Sequence, residues 1–199
     1  MRILLATRSA GKLRELRPLF AERGIAVIDL VEARVPESPA EDALEIYESF
    51  EENALAKGRY FSALTGLAVA ADDSGIEVRA LGGRPGVRSK RWSERPDLSG
   101  QALDDENNRL LVSLLAHHAD RRARYVCAAA FVDGARALVR RGEVAGIITQ
   151  EPRGQNGFGY DPWFESDELA KTFGEASAVE KATVSHRARA FRELLSAIA

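Results

Sequence analysis

The chain of 199 residues carries one cysteine, few aromatic residues and a net charge of only −2. A single cysteine excludes an internal disulfide framework and fits a reducing compartment. So even a balance of charge excludes a surface field that would hold a polyanion, and duplex nucleic acid is not an expected partner. No apolar run approaches the ~20 residues needed to cross a bilayer. The opening run Arg2–Ala6 lacks the cleavage pattern of a secretory leader. A soluble, cytoplasmic protein without a membrane partner is therefore expected. Low-complexity linkers and internal repeats are also lacking. What remains is an ordinary globular composition, 45% hydrophobic and 29% charged, which suits one domain over residues 1–199 built as a single body or two fused lobes.

The apolar pattern alternates between strand and helix periods. Arg2–Ala6 reads as a buried strand, and Leu13, Leu16, Leu19 and Phe20 follow at helical spacing with Pro18 as a bend or weak end. Ile25–Val31 reads as a strand and Pro36–Glu45 as an acidic loop. Ser49, with Glu52 three residues on, caps a helix that Gly66 closes. Leu67–Ala71 is a strand expected to end at Asp72–Gly75, before Ile76–Leu81 and a loop over Gly82–Gly86. Gln101–His118 is helical by period, and Asp133-Gly134 marks a hairpin between Arg124–Val132 and Ala137–Gln150. Ala188, Phe191, Leu194, Leu195 and Ile198 make one face of a final helix. The fold class is α/β with a mixed central sheet flanked by helices.

Five segments could carry chemistry. Thr7-Arg8-Ser9-Ala10-Gly11-Lys12 lies between strand and helix, where free N–H groups, small residues and a lysine favour an anion. It is not a Walker A loop, because Ala6 and Leu13 stand where that motif has Gly and Ser/Thr, and it is not a dinucleotide fingerprint either. Asp72-Asp73-Ser74-Gly75 offers two carboxylates and a hydroxyl, a hard-oxygen set suited to Mg²⁺, provided that the strand stops there and lets both acids share one side. One of the two could take a proton from an attacking water. Glu45, Glu48 and Glu52 share a face if their segment is helical, which makes Glu45 a further metal candidate, while Asn53 and Lys57 could face phosphate. Gly157–Pro162 sets an aromatic between glycines, as a base-stacking loop would, and Lys181 with Ser185-His186-Arg187 gathers donors ahead of the last helix. Cys127 and the pair His117-His118 read as bland, the first as a small buried residue.

These segments, in this order, resemble the inosine triphosphatase-like (dITP/XTP pyrophosphatase) family over nearly the whole chain. The blocks are Leu5–Thr7 through Gly11-Lys12, Glu52–Ala54 with Lys57, Ala71–Gly75, Leu81–Gly83 with Pro85-Gly86, Gly157–Pro162, and Glu180-Lys181 with Ser185–Arg187. The resemblance implies a strongly twisted mixed sheet in two lobes with a nucleotide cleft between them, usually in a homodimer. It implies that Thr7–Lys12 and Lys57 surround a triphosphate. Asp73 becomes Mg²⁺ ligand and proton acceptor, supported by Asp72, and Ser74 touches substrate. Phe158, Gly159, Tyr160, Asp161, Lys181, His186 and Arg187 hold the base and its surroundings. The implied reaction is Mg²⁺-assisted hydrolysis of ITP, dITP or XTP to the monophosphate and pyrophosphate. Arg187, with donors only, would favour a purine carbonyl at position 6 over the amino group of adenine.

Two departures from the family's pattern stand out: Ser9 replaces a usual Asn, and Tyr47-Glu48-Ser49 replaces a stretch usually containing Gly and Thr. The alternatives are a Maf-like pyrophosphatase acting on pyrimidine or modified nucleotides, whose Ser-Pro-Arg-Arg start is absent, and a non-catalytic nucleotide- or RNA-binding module using Arg84–Arg91. The preferred reading requires the opening loop, the aspartate pair and the basic tripeptide to converge.

Overall fold

The computed structural model describes residues 2–198. Its seven strands are β1 (Arg2–Leu5), β2 (Ala26–Asp29), β3 (Ala68–Val78), β4 (Arg122–Asp133), β5 (Arg136–Ile148), β6 (Phe164–Ser166) and β7 (Lys171–Thr172). They form one mixed sheet in the order β2-β1-β3-β4-β5-β6-β7. β1 pairs parallel with β2 and β3, whereas β6 pairs antiparallel with β5 and β7. The helices are α1 (Ala10–Ala21), α2 (Phe50–Thr65), α3 (Gly100–Leu114), α4 (Ala178–Val184) and α5 (His186–Ile198). None is long and apolar enough to cross a membrane.

The chain divides into two compact units. One contains the chain up to Asp73, Cys127–Gly142 and the chain from His186; the other contains Ser74–Val126 and Glu143–Ser185. In the first, strand alternation sorts the core onto two sides. Ile3, Leu5, Ala68, Ala70, Cys127 and Phe131 pack with Leu16 and Phe20 of α1 and Phe191 and Leu194 of α5. Leu4, Ala6, Val69 and Ala71 face the other way, against Phe61 of α2. The second unit has its own core around Ile76, Leu111, Tyr125, Tyr160, Phe164 and Phe173.

Local chemistry sets the helix ends. Ser9 caps α1 by accepting the Lys12 N–H, and Ser49 caps α2 by accepting the Glu52 N–H. Gly66 ends α2 in the left-handed conformation (φ 70°), and the Gly134 turn (φ 55°) separates β4 from β5 by two residues. Pro18 does not end α1. Pro18 and Arg14, whose carbonyl has no helical donor at a proline, are both exposed rather than buried in the core.

Three expectations are corrected. The acidic loop over 36–45 contains a 3₁₀ helix at Pro39–Leu44, because Ser38 and Glu41 form a capping box around a proline already set for helix. Glu45 and Glu48 precede α2 rather than lining it, since Ser49 is the cap. Finally, β3 runs unbroken through Asp72–Gly75 to Val78.

Candidate functional site

That unbroken strand decides where the two acids go. The alternation that sorts Ala68 and Ala70 from Val69 and Ala71 continues, so Asp72 faces α1 and α5 while Asp73 faces α2. The expectation that both carboxylates share one side after a strand end is corrected by this register.

Asp72 is the meeting point of the chain's start and end. Lys12 Nζ lies 3.0 Å from its Oδ2 and Arg187 Nε 3.2 Å from the same oxygen. Arg187, 2% exposed, also pairs with Glu15 of α1. Gly142 permits this seating: a Cβ there would stand 2.2 Å from the His186 carbonyl oxygen, so only glycine on β5 lets the first turn of α5 approach. Burial acts to raise the Asp72 pKa, but Lys12, Arg187 and Lys57 outweigh it and hold the carboxyl well below the usual range. Asp72 is thus a fixed anion. Its Oδ1 is buried without a hydrogen-bond partner among the described residues.

Asp73 has the opposite character. Its Oδ2 accepts from Asn53 Nδ2 at 2.8 Å, and it is 5% exposed. Burial first, and the negative charge of Glu45 second, push its carboxyl up to about 6 against the pull of Lys12, Lys57 and Asn53. Lys57 pairs with Glu45 and donates to the Asp72 carbonyl oxygen at 3.0 Å. Burial would lower the Lys57 pKa, but Glu45, Asp72 and Asp73 more than offset it, so the ammonium persists. Among the described residues no three His, Cys, Asp or Glu side chains form a metal-holding group.

Lys12 of the opening loop, Asp72 and Arg187 of the basic tripeptide therefore meet, all within the first unit. Not every member of the loop turns toward them. Thr7 Oγ1 accepts the Ser9 N–H and Ser9 Oγ the Lys12 N–H, while Ala10 and Gly11 form the first turn of α1. Arg8 is committed elsewhere, to Glu41 (2.7 Å) and to the carbonyls of Val35 and Pro36.

Phe158–Asp161 and Lys181 form a second group, in the other unit. Lys181 Nζ donates to Asp161 Oδ2 at 2.6 Å and sits 5.1 Å from the Phe158 ring centroid. The same carboxylate accepts the Phe158 N–H at 2.8 Å. Gly157 must be glycine: φ is 78° and a Cβ would fall 2.0 Å from Asp161 Oδ2. Tyr160 is a core residue whose hydroxyl donates to the Ser89 carbonyl oxygen at 2.7 Å, and Ser74 is half-buried on β3. Cys127 is buried, as expected, with Sγ 3.8 Å from Asp72 Oδ2.

Sequence reasoning missed Glu15 as a partner of Arg187 and Asn53 as a partner of Asp73. A carboxamide beside apolar Ala54 and Leu55 was the available signal for Asn53, but its partner lies 20 positions away.

Residues 3–197 match the Ham1 family. A dITP/XTP pyrophosphatase of Frankia alni is 46% identical over 197 residues, covering 98% of this chain and 95% of its own. One from Ralstonia nicotianae is 45% identical, with 98% and 94% covered. Among solved structures, a Ham1 protein from Coxiella burnetii superposes with a TM-score of 0.84 at 33% identity, covering 100% of this chain and 98% of its own. The Coxiella structure and this chain share one α/β fold. The chain belongs to the Ham1 family.

Proposed function

We infer that this chain is a nucleoside triphosphate pyrophosphatase, acting as one domain on ITP, dITP and XTP and releasing the monophosphate and pyrophosphate. Relatives named for dITP and XTP pyrophosphatase activity at about 45% identity over nearly their whole length support the substrate class. The observation that carries the reaction type is Asp73, a buried carboxyl with a pKa of about 6 beside the cations Lys12 and Lys57. A base that titrates near neutrality can take a proton from water and still be ionised at working pH.

The residues fit a hard divalent cation. Asp73 and Glu45 repel one another, a repulsion that a cation between oxygen ligands removes. Asp73 and Glu45 would hold Mg²⁺, while Asp72, on the opposite face of β3, lends support only as the fixed anion that seats Lys12; the ion would neutralise phosphate oxygens and steady the leaving pyrophosphate. Lys12, Lys57 and the Thr7–Gly11 turn bind the triphosphate. Asp73 takes the proton as water oxygen bonds to the α-phosphorus and the bond to the bridging oxygen breaks. Phe158 stacks on the base with Gly159, Tyr160 and Asp161 shaping its loop, and Ser74 contacts substrate. Lys181, His186 and Arg187 supply donors, and the Lys181 and Arg187 side chains carry no acceptor atom of their own, which favours a carbonyl at position 6 over an amino group. The same reading places the protein in the cytoplasm as a homodimer, without nucleic acid or membrane partners.

A panel of nucleoside triphosphates, assayed with Mg²⁺ and with product identity checked, tests this reading. Monophosphate and pyrophosphate from ITP and XTP are expected. Preference for pyrimidines, or release of diphosphate and phosphate, would contradict it.

A further inference from the structure

Helix α3 turns two polar side chains, one helical turn apart, onto a single residue of the Phe158 loop. Asp104 Oδ2 accepts the Gly159 N–H at 2.9 Å, and Asn108 Nδ2 donates to the Gly159 carbonyl oxygen at 3.0 Å. Both backbone polar groups of Gly159 are thereby held from one helix face. Gly159 is in the left-handed region (φ 62°), a conformation that glycine leaves easily because it has no side chain to restrict it.

Asn108 is held at a cost. It is 6% exposed, yet its Oδ1 has no hydrogen-bond partner among the described residues. A buried acceptor left unpaired is destabilising, and an apolar residue of the same shape would avoid it. The carboxamide's useful contact is its donation to Gly159. Asp104 is partly buried, its carboxyl raised by that burial and only partly compensated by the Gly159 N–H.

We propose that Asp104 and Asn108 are positioning residues for substrate: by gripping the Gly159 peptide they fix the direction in which Phe158 presents its ring to a purine. The neighbouring contacts are consistent. The Phe158 N–H is held by Asp161, and its ring lies over Lys181. Phe158 is thus anchored from its amide side by Asp161 and from its carbonyl side through Gly159. This proposal rests on the reading that Phe158 stacks on the base.

The test is a double-mutant cycle on KM and kcat for ITP with Mg²⁺, using Asn108→Ala, Asp104→Ala, Phe158→Ala and the double variants. Phe158→Ala is expected to raise KM about tenfold, the scale of one lost base stack. Asn108→Ala and Asp104→Ala should each raise KM about fivefold with kcat within about twofold. In the Phe158→Ala background, either should change KM by less than about twofold, because no ring remains to be placed. Asp104→Asn keeps an acceptor oxygen and should restore a KM near that of the unaltered protein. If Asn108→Ala unfolds, the Asp104→Ala and Asp104→Asn pair makes the same comparison. A raised KM in Phe158→Ala with none in the α3 variants, or α3 effects that multiply fully with that of Phe158→Ala, would overturn the proposal alone. An unchanged KM in Phe158→Ala would overturn the stacking reading, and the proposal with it.

Discussion

Asn53 Nδ2 lies 2.8 Å from Asp73 Oδ2, and the same carboxamide accepts the Tyr47 N–H at 2.9 Å and donates to the Tyr47 carbonyl oxygen at 3.2 Å. One fully buried side chain therefore ties the proposed base to the backbone two residues after Glu45. Its hydrogen bond favours the ionised form of Asp73. Asn53→Ala is expected to raise the apparent pKa of the acidic limb of the rate profile and to lower stability by about 1–3 kcal/mol, because buried groups lose their partner. A pH–rate profile together with denaturant unfolding measures both.

Asp73 also links activity to stability with opposite signs. Its folded pKa of about 6 stands above the unfolded carboxyl value of about 4. Between those values the folded state holds the proton more tightly, so this group's contribution to stability is lost as pH rises through 6. Asp73→Asn should therefore be more stable than the unaltered protein at pH 7.5, by up to about 2–3 kcal/mol in metal-free buffer, with the gap closing below about pH 4. Thermal unfolding across that range checks it. Catalysis runs the other way, since only the ionised carboxylate accepts a proton, and turnover should fall as pH drops toward and below 6.

The Asp72 cluster has the ordinary sign. Its depressed pKa means that its contribution is fully present above about pH 4 and is lost as pH falls toward the folded value. Arg187→Ala leaves Glu15 and Asp72 without that cation and is expected to destabilise the fold by about 3–5 kcal/mol, seen as a lower denaturant midpoint. If enough folded protein remains, its preference for ITP over ATP should also erode. An unchanged ratio would count against base reading by Arg187.

Much of this was legible in the sequence, for identifiable reasons. Ser9, Ser49 and Gly66 act through neighbours three or four residues away, so their letters suffice to set the ends of α1 and α2. The start and end of the chain could be matched to Asp72 only through resemblance, because Lys12, Asp72 and Arg187 are far apart in sequence. The fate of Asp73 was not legible. Ser74-Gly75 reads as a strand end, yet Gly75 is there because a Cβ would fall 2.3 Å from the Gly86 carbonyl oxygen, a crowding within a continuing strand. The Tyr160 hydroxyl likewise donates to the Ser89 carbonyl oxygen, a partner 71 positions away that no neighbouring letter announces. Letters do not reveal which partner a polar group meets.

Metal removal bears on Asp73 and Glu45. Excess chelator should abolish pyrophosphate release, and Mg²⁺ should restore it. Near pH 6, metal addition should release protons from the unaltered protein but far fewer from Asp73→Asn, because a cation displaces the proton that burial and Glu45 retain. Calorimetry in buffers of different ionisation enthalpy reads that release.

The most direct measurement is pyrophosphate release from ITP by Asp73→Asn, run beside nucleotide binding by the same variant. Loss of most turnover with binding and fold retained is the expected result. Turnover near that of the unaltered protein would contradict the assignment of the proton acceptor.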